Sequence, residues 1–325
     1  MSWQQVTLLK LFAQEFNMYI QDLFVRYYDW RPFNSTLLNK ITGNSSKKGK
    51  YFANRLLPFW FKRHISCHIK IPENNIVVCV TSFPERIDKL WLVLECMLRQ
   101  TILPSKIVVY LSKEQFESVE SIPNSIRRYV PLVDIRLVDN NIKSHKKYWY
   151  AVEEFLEQNV VLIDDDIIYD SRLIERLVNG QKKNPHCVIA NYGHIMQWDK
   201  NGNLSPYLEW SHRRRLVNTR QNDFFFGSGG GTLFPPHSLR GANIMLDKLM
   251  EICPTADDVW LNAIIRVNGW GIVPVRAYNS CPTWENKNNV QLKSINVDNS
   301  QNDVQIQKVR EFCLSQYKKD LFLPM

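Results

Sequence analysis

Two acidic groups have the residue types and spacing for chemistry: Asp164-Asp165-Asp166, directly after the apolar run Val160-Val161-Leu162-Ile163, and Asp257-Asp258 further along. Adjacent carboxylates repel one another strongly unless a cation or a ring of donors lies close by. In an extended segment Asp164 and Asp166 point to one side and Asp165 to the other. Two carboxylates on one side, at the carboxyl end of a buried strand, suit Mg²⁺ or Mn²⁺, hard ions that prefer oxygen ligands and accept substrate phosphates as the others. The plainer alternative is an acidic loop, or a helix N-terminus whose dipole favours acids. The second group lies in Cys253-Pro254-Thr255-Ala256-Asp257-Asp258-Val259-Trp260, where Thr255 or Asp257 can cap a helix running through Ile264 and Ile265. One cap does not account for two acids, and the surplus carboxylate is a candidate general base.

Other polar and small residues gather around these acids in the sequence. Gly227, Gly229, Gly230 and Gly231 fall within Phe224 to Pro236 and leave the backbone free for positive φ and close approach to a ligand. No Lys-Ser/Thr follows them, so the segment is not a P-loop; a tightly turned connector is the alternative. Lys143, Lys146 and Lys147 stand at the start of a helical pattern. Cations and helix N-terminal amides beside a metal-binding carboxylate pair are what a diphosphate requires, although each lysine singly also fits a solvated helix face.

The elements that must position these residues alternate between strand and helix. Strands are expected at Ile76–Val80, Ile107–Leu111, Asp134–Val138 and Val160–Ile163. Helical segments separate them: Ile87 to Gln100, turns through Glu114 to Arg128, and His145 to Glu157. That rhythm predicts an α/β fold with a largely parallel sheet, whose ligands bind at the carboxyl ends of the strands. Thr81, Ser82, Glu85 and Arg86 follow the first strand, and Asp139, Asn140 and Asn141 the third. Further expectations are a helix at Leu173–Gly180 with a glycine stop, strands at His186–Asn191 and Gly271–Ala277, and a helix at Val304–Tyr317. Tyr192 to Asp223 reads as irregular and includes Arg213-Arg214-Arg215.

With 325 residues, 45% hydrophobic and 22% charged, the composition is that of an ordinary globular chain. Its seven cysteines are scattered and never form Cys-x-x-Cys, which fits structural thiols in a reduced compartment and argues against a zinc site. No stretch approaches the roughly 18 uninterrupted apolar residues of a membrane span, and polar residues break any signal-peptide core. Cytoplasmic residence is the expectation. Of the +9 formal charge, residues 1–75 carry most. There, Leu9, Phe12, Phe16, Ile20, Leu23 and Tyr27 follow helical spacing, ended by Trp30-Arg31-Pro32. After Lys47, Lys48 and Lys50, the residues Phe52, Leu56, Leu57, Phe59, Trp60 and Phe61 interleave with Arg55, Lys62, Arg63 and His64. That mixture suits an anionic membrane surface contacted through residues 1–70, on the inner face of the plasma membrane. A cover for the main domain, or a homodimer contact, is the alternative. Three units follow: a basic, aromatic helical extension (1–75), the α/β domain (76–290) and a C-terminal helical tail (291–325).

Taken in order, the strand ending Val80-Thr81-Ser82, the four βαβ-type strands leading to Asp164-Asp165-Asp166, the glycine-rich segment and Asp257-Asp258 at a helix start resemble a GT-A glycosyltransferase. The look is nearest to bacterial family-2-like enzymes of surface-polysaccharide synthesis, and it covers about residues 76 to 285. The resemblance implies a Rossmann-like GT-A fold and transfer of a sugar from a nucleotide-diphosphate donor to a hydroxyl of a glycan or lipid-linked acceptor. It implies Asp164 and Asp166 for Mn²⁺ or Mg²⁺, with Asp165 beside them on the donor. Asp258, or else Asp257, would be the base of an inverting enzyme. Thr81, Arg86, Asp139, Lys146 and Lys147 would lie on the donor side, and Gly229, Gly230, Gly231 and Trp260 around the sugar or acceptor. No histidine follows His237, so the C-terminal histidine ligand of many GT-A enzymes is missing. The Gln-x-x-Arg-Trp motif of processive members is absent too, which implies addition of a single sugar.

Two other function classes meet the same residues less well. A nucleotidyltransferase would carry a glycine- and lysine-rich loop after the first strand, and Thr81 to Arg86 contains no glycine. A nucleic-acid-binding protein would use Lys47 to Arg63 on phosphates but leaves both acidic groups without a role, and no nucleic-acid partner is expected.

Overall fold

Runs of aliphatic residues build the centre of the chain, and the computed structural model describes residues 20–29, 45–211, 217–276, 281–285 and 301–322. In chain order the strands are β1 (Ile76–Thr81), β2 (Lys106–Ser112), β3 (Val133–Val138), β4 (Asn159–Ile163), β5 (Cys187–Ala190), β6 (Gly193–Ile195), β7 (Phe224–Phe226), β8 (Gly230–Phe234) and β9 (Gly271–Pro274). Seven form one sheet in the order β3-β2-β1-β4-β8-β5-β9, and β6 and β7 form a separate ribbon. Neighbours among β1 to β4 pair in parallel, as do β5 and β9, while β8 runs antiparallel between β4 and β5. The fold is thus mixed α/β with a mainly parallel sheet.

The helices are α1 (Ile20–Asp29), α2 (Ser45–Arg63), α3 (Pro84–Leu98), α4 (Asn124–Arg127), α5 (Lys146–Trp149), α6 (Ala151–Glu154), α7 (Leu173–Lys183), α8 (Leu246–Ile252), α9 (Asp257–Val267) and α10 (Gln301–Tyr317). Strand side chains alternate between faces, so the sheet feeds two cores. Val78, Val80, Ile107, Val109, Val161 and Ile163 pack with α2, α3 and α7. Val77, Cys79, Val108, Val160 and Leu162 pack on the opposite face with α6, α9 and α10. Burial on both sides explains why these strands read as continuous apolar runs.

Several expectations change in detail. The helix expected over His145–Glu157 is broken into α5 and α6, and Glu114 to Arg128 holds only a 3₁₀ turn and the short α4. Gly180 does not stop its helix, because α7 continues to Lys183. It is a packing glycine, whose added Cβ would lie 2.7 Å from Val275 and 2.8 Å from Ile189. Among the N-terminal residues α1, α2 and the segment 64–75 are described; Val6 to Tyr19 and Trp30-Arg31-Pro32 lie outside the described residues, as do Arg213-Arg214-Arg215. The cysteines within the described residues are all free thiols, and no described helix is long and apolar enough to cross a membrane.

The N-terminal helices are anchored by buried polar groups as well as apolar contacts. Asp22 of α1 accepts from the Ser171 backbone N–H and hydroxyl, both at 2.7 Å. Beyond α2, the wholly buried Glu95 carboxylate gathers Arg99 at 2.8 Å, the Tyr129 hydroxyl at 2.7 Å and the Ser66 N–H at 3.0 Å. Arg99 in turn donates to the His64 carbonyl. A buried ion pair adds little net stability over apolar packing, but removing one member strands the other. Glu95→Ala should therefore cost about 3–5 kcal/mol, read as a fall in the urea midpoint; a loss below about 1 kcal/mol would be the surface-pair value and would refute the staple.

Candidate active site

The sheet order fixes where a site can form. The chain leaves β1 outward to β2 and β3, then returns to place β4 on the other flank of β1. Crossovers that part in this way open a crevice at the carboxyl ends of the two strands. Thr81, Ser82 and Arg86 lie at the end of β1, and Asp164-Asp165-Asp166 at the end of β4.

β4 ends at Ile163, so the aspartates occupy a turn and strand alternation no longer governs them. Asp165, not Asp164, shares a cation with Asp166. Arg86 reaches Asp165 at 3.1 Å and also contacts Asp166, while the Ser82 hydroxyl donates to Asp165. Asp165 is 5% exposed, Asp166 19% and Asp164 44%, so Asp164 is the most accessible of the three and Asp166 is mostly covered. Burial raises the pKa of Asp165 against the pull of Arg86. Burial, opposed by Arg86 and reinforced by the neighbouring aspartates, lifts Asp166 to about 7.

Asp164 belongs to a second cluster. The Lys147 ammonium, 2% exposed, lies 2.7 Å from Asp164 Oδ1 and 2.9 Å from Asp257 Oδ2, and so joins the two acidic motifs. Burial opposes its charge, but Asp164 and Asp257 outweigh that and raise its pKa. Ser228 makes the second link: its hydroxyl donates to Asp257 Oδ2 at 2.7 Å and its backbone N–H to Asp258 Oδ1 at 2.7 Å. Ser228 lies between the glycines, and their lack of side chains makes room for this closeness. A Cβ on Gly229 would fall 1.9 Å from the Asp164 carboxyl carbon. The Asp164 N–H donates to the Gly229 carbonyl at 3.1 Å and to the Tyr169 hydroxyl at 2.8 Å, and that hydroxyl donates to the Gly229 carbonyl. The glycine run is accordingly no loose connector. Gly230 and Gly231 begin β8, Gly230 against Tyr192, and Gly231 at φ +94° against Leu173.

The two adjacent acids of α9 have opposite electrostatics. Neither Thr255 nor Asp257 caps the helix; Ala256 holds that position and makes no side-chain cap. Burial works against the Asp257 anion, yet Lys147 prevails and holds its pKa below the usual value. Asp258 has no ion-pair contact among the described residues, and burial together with the Asp257 charge, against a weaker pull from Lys147, lifts it to about 7. The preceding loop is pinned by residues whose role the sequence did not reveal. Gln305 of α10 accepts from the N–H groups of Thr255 at 3.0 Å and Ala256 at 3.1 Å. Buried His145, kept neutral because burial lowers its pKa to about 4, donates from Nε2 to the Cys253 carbonyl at 2.7 Å.

Other expected site residues lie apart from these clusters. Trp260 does not line a pocket: its indole is wholly buried in the core, with Nε1 donating to the Ala242 carbonyl at 2.8 Å. Asp139 is exposed and pairs with Lys113 at 2.6 Å. The Thr81 hydroxyl turns sideways to the Tyr110 carbonyl at 2.8 Å. Lys146 is buried instead of solvated, donates to Asn141 Oδ1 at 2.8 Å, and is lowered to about 8 by burial. Among the described residues, no three His, Cys, Asp or Glu side chains are arranged to hold a metal. The donor set that Asp164 and Asp166 offer is two carboxylates, one exposed and one mostly covered, which fits a hard ion completed by phosphate and water.

The sequence matches no family model and no curated protein. Among solved structures, the chain is similar to the mannosyltransferase PcManGT from Pyrobaculum calidifontis in complex with GDP-Man and Mn²⁺, at 13% identity, 83% of this chain, 75% of that chain and a TM-score of 0.43. A likeness of that size decides nothing about activity.

The Asp258 shift has a thermodynamic consequence. Its folded pKa lies above the ordinary 3.8, so between roughly pH 4 and 7 the folded state holds a proton that the unfolded state has lost, and stability falls as pH rises through that window. Asp258→Asn keeps an acceptor for the Ser228 N–H and removes the titration. The variant should gain about 2–4 kcal/mol on wild type between pH 4 and pH 8, measured by urea unfolding at both; an equal difference at the two pH values would show that Asp258 titrates normally.

Proposed function

We propose that the chain is a glycosyltransferase of GT-A type that moves a sugar from a nucleotide-diphosphate donor to a hydroxyl of a glycan or lipid-linked acceptor. The single observation that carries the reading is the Lys147 bridge, which sets outward-facing Asp164 beside the Asp257-Asp258 pair. A donor-side acid and a proton acceptor then lie at one edge, at the switch point of the sheet.

Asp258 is the base in this reading. Near pH 7 it can be ionised and still have appreciable proton affinity, which suits general-base work. Asp257, locked as an anion on Lys147, serves to hold that cation and to raise its neighbour. The acceptor hydroxyl gives its proton to Asp258 as its oxygen bonds to the anomeric carbon; the bond from that carbon to the donor phosphate breaks, and the nucleoside diphosphate leaves with the electron pair. Attack opposite the leaving group inverts the anomeric centre, and one sugar is added per encounter. Asp164 and Asp166 would hold Mn²⁺ or Mg²⁺, which when bound offsets charge on the diphosphate. Arg86, already on Asp165 and Asp166, supplies a further cation to that side. Surface-polysaccharide synthesis on the cytoplasmic side is the setting we infer.

Calorimetry against a panel of nucleotide-diphosphate sugars should find a donor that binds with Mn²⁺ and not without it, and Asp166→Ala should lose that binding. If no donor binds, or the substitution changes nothing, the transferase reading fails. With the donor identified, Asp258→Asn should retain its affinity while transfer drops by about a hundred- to ten-thousand-fold; near-wild-type turnover would remove Asp258 from the role of base.

A further inference from the structure

Helix α2 is apolar on two faces, and the fold uses only one of them. Its inner face, Ala53, Leu57 and Phe61, is at most 1% exposed and belongs to the core. On the outer face Tyr51, Phe52, Leu56 and Phe59 are 46 to 55% exposed, four of the twelve large hydrophobic side chains left in solvent among the described residues. Scattered exposed apolar residues are normal, but a cluster on one helix face marks a contact site.

The charge of this face identifies its partner. Lys47, Lys48, Arg55, Lys62 and Arg63 are exposed along α2, and Ser45–Arg63 contains no acid. Arg55 lies over the Tyr51 ring at 4.7 Å and Arg63 over Phe59 at 4.1 Å, so the cations border the aromatics they would share with headgroups. Because α2 carries no acid of its own, its partner must supply the negative charge. Aromatic side chains at headgroup depth, edged by long cations whose stems reach over apolar surface, suit an anionic bilayer.

We propose that the outer face of α2 seats on an anionic membrane. The helix is fixed to the catalytic edge, which gives the contact a consequence. Asn54 donates to the Thr283 carbonyl at 3.1 Å and accepts from the Glu285 N–H at 2.6 Å. Between them the Trp284 N–H donates to the Asp166 carbonyl at 2.6 Å. A bilayer bound by α2 is therefore held at a set position relative to the acidic turn, and, on the transferase reading, so is an acceptor embedded in it.

The test is cosedimentation of the full chain with phosphatidylcholine vesicles, with and without phosphatidylglycerol. The chain should sediment with the anionic vesicles alone, and less as salt is raised. Arg55→Gln/Arg63→Gln should lower the partition about thirtyfold, and Phe52→Ser/Phe59→Ser should lower it too, with circular dichroism and urea midpoint unchanged because these side chains are exposed. Absence of sedimentation, equal sedimentation with neutral vesicles, or unaltered binding by both variants overturns the proposal. So does a wild-type dimer in sedimentation velocity that either variant converts to monomer, since the face would then belong to a second copy of the chain. None of these residues touches the candidate site, so failure here leaves the transferase reading standing, and loss of donor binding leaves the membrane face standing.

Discussion

A buried ammonium between two carboxylates is the interaction on which this architecture turns. Lys147 contacts Asp164 beyond β4 and Asp257 at the start of α9, residues whose charges would otherwise drive the two elements apart. A charge removed from water is tolerable only when paired and hydrogen-bonded, and each of the three members has further support. Asp164 is tied through its N–H to Tyr169 and Gly229, and Asp257 takes the Ser228 hydroxyl. The short α5, ending at Trp149, brings the lysine up beneath the sheet edge.

This pairing divides the five acids by function. Arg86 pairs with Asp165 and Asp166, and Lys147 with Asp164 and Asp257, which leaves Asp258 as the one with no cation in contact among the described residues. Its pKa is raised by burial and by the Asp257 anion, against a weaker pull from Lys147. Two adjacent residues of the same type therefore differ in chemistry because of what one lysine reaches. The proposed base is the acid that the structure declines to stabilise, and the locked neighbour is what keeps it so.

How much of this could be read from the sequence depended on range. The buried strands announced themselves as aliphatic runs, and the end of β4 fell at Ile163 as expected, because local composition dictates both. The rule that parallel sheets bind ligands at the carboxyl ends of their strands drew Thr81, Arg86 and the aspartates to one edge, and the strand order that makes that edge a switch point came only with the structure. Side-chain partners did not follow from local rules. Alternation pairs Asp164 with Asp166, but it applies only within a strand, and the turn hands Asp165 to the cation that Asp166 also uses. The resemblance placed Trp260 around the sugar or acceptor, whereas helical periodicity, α9 being buried along most of its length, turns it into the core. Ser228 was visible only as a break in a glycine run, and nothing near it in sequence hinted at two hydrogen bonds to residues on another element.

Gln305 shows most clearly why the last segment escaped a sequence reading. Alone, α10 is a helix without an obvious motif. In place, one side-chain amide takes the two N–H groups that open the turn into α9, and its own N–H donates to the Thr255 hydroxyl at 2.9 Å. Opposite it, neutral His145 grips the carbonyl of Cys253 and is itself fixed by the Tyr148 hydroxyl at 2.7 Å. The turn that presents Asp257 and Asp258 is thus clamped from the C-terminal helix on one side and from the helical segment bearing Lys147 on the other. A base whose pKa rests on distances of a few ångströms to one anion and one ammonium needs its backbone held to that tolerance, and polar clamps with fixed donor directions hold it more tightly than apolar contacts, which can slide.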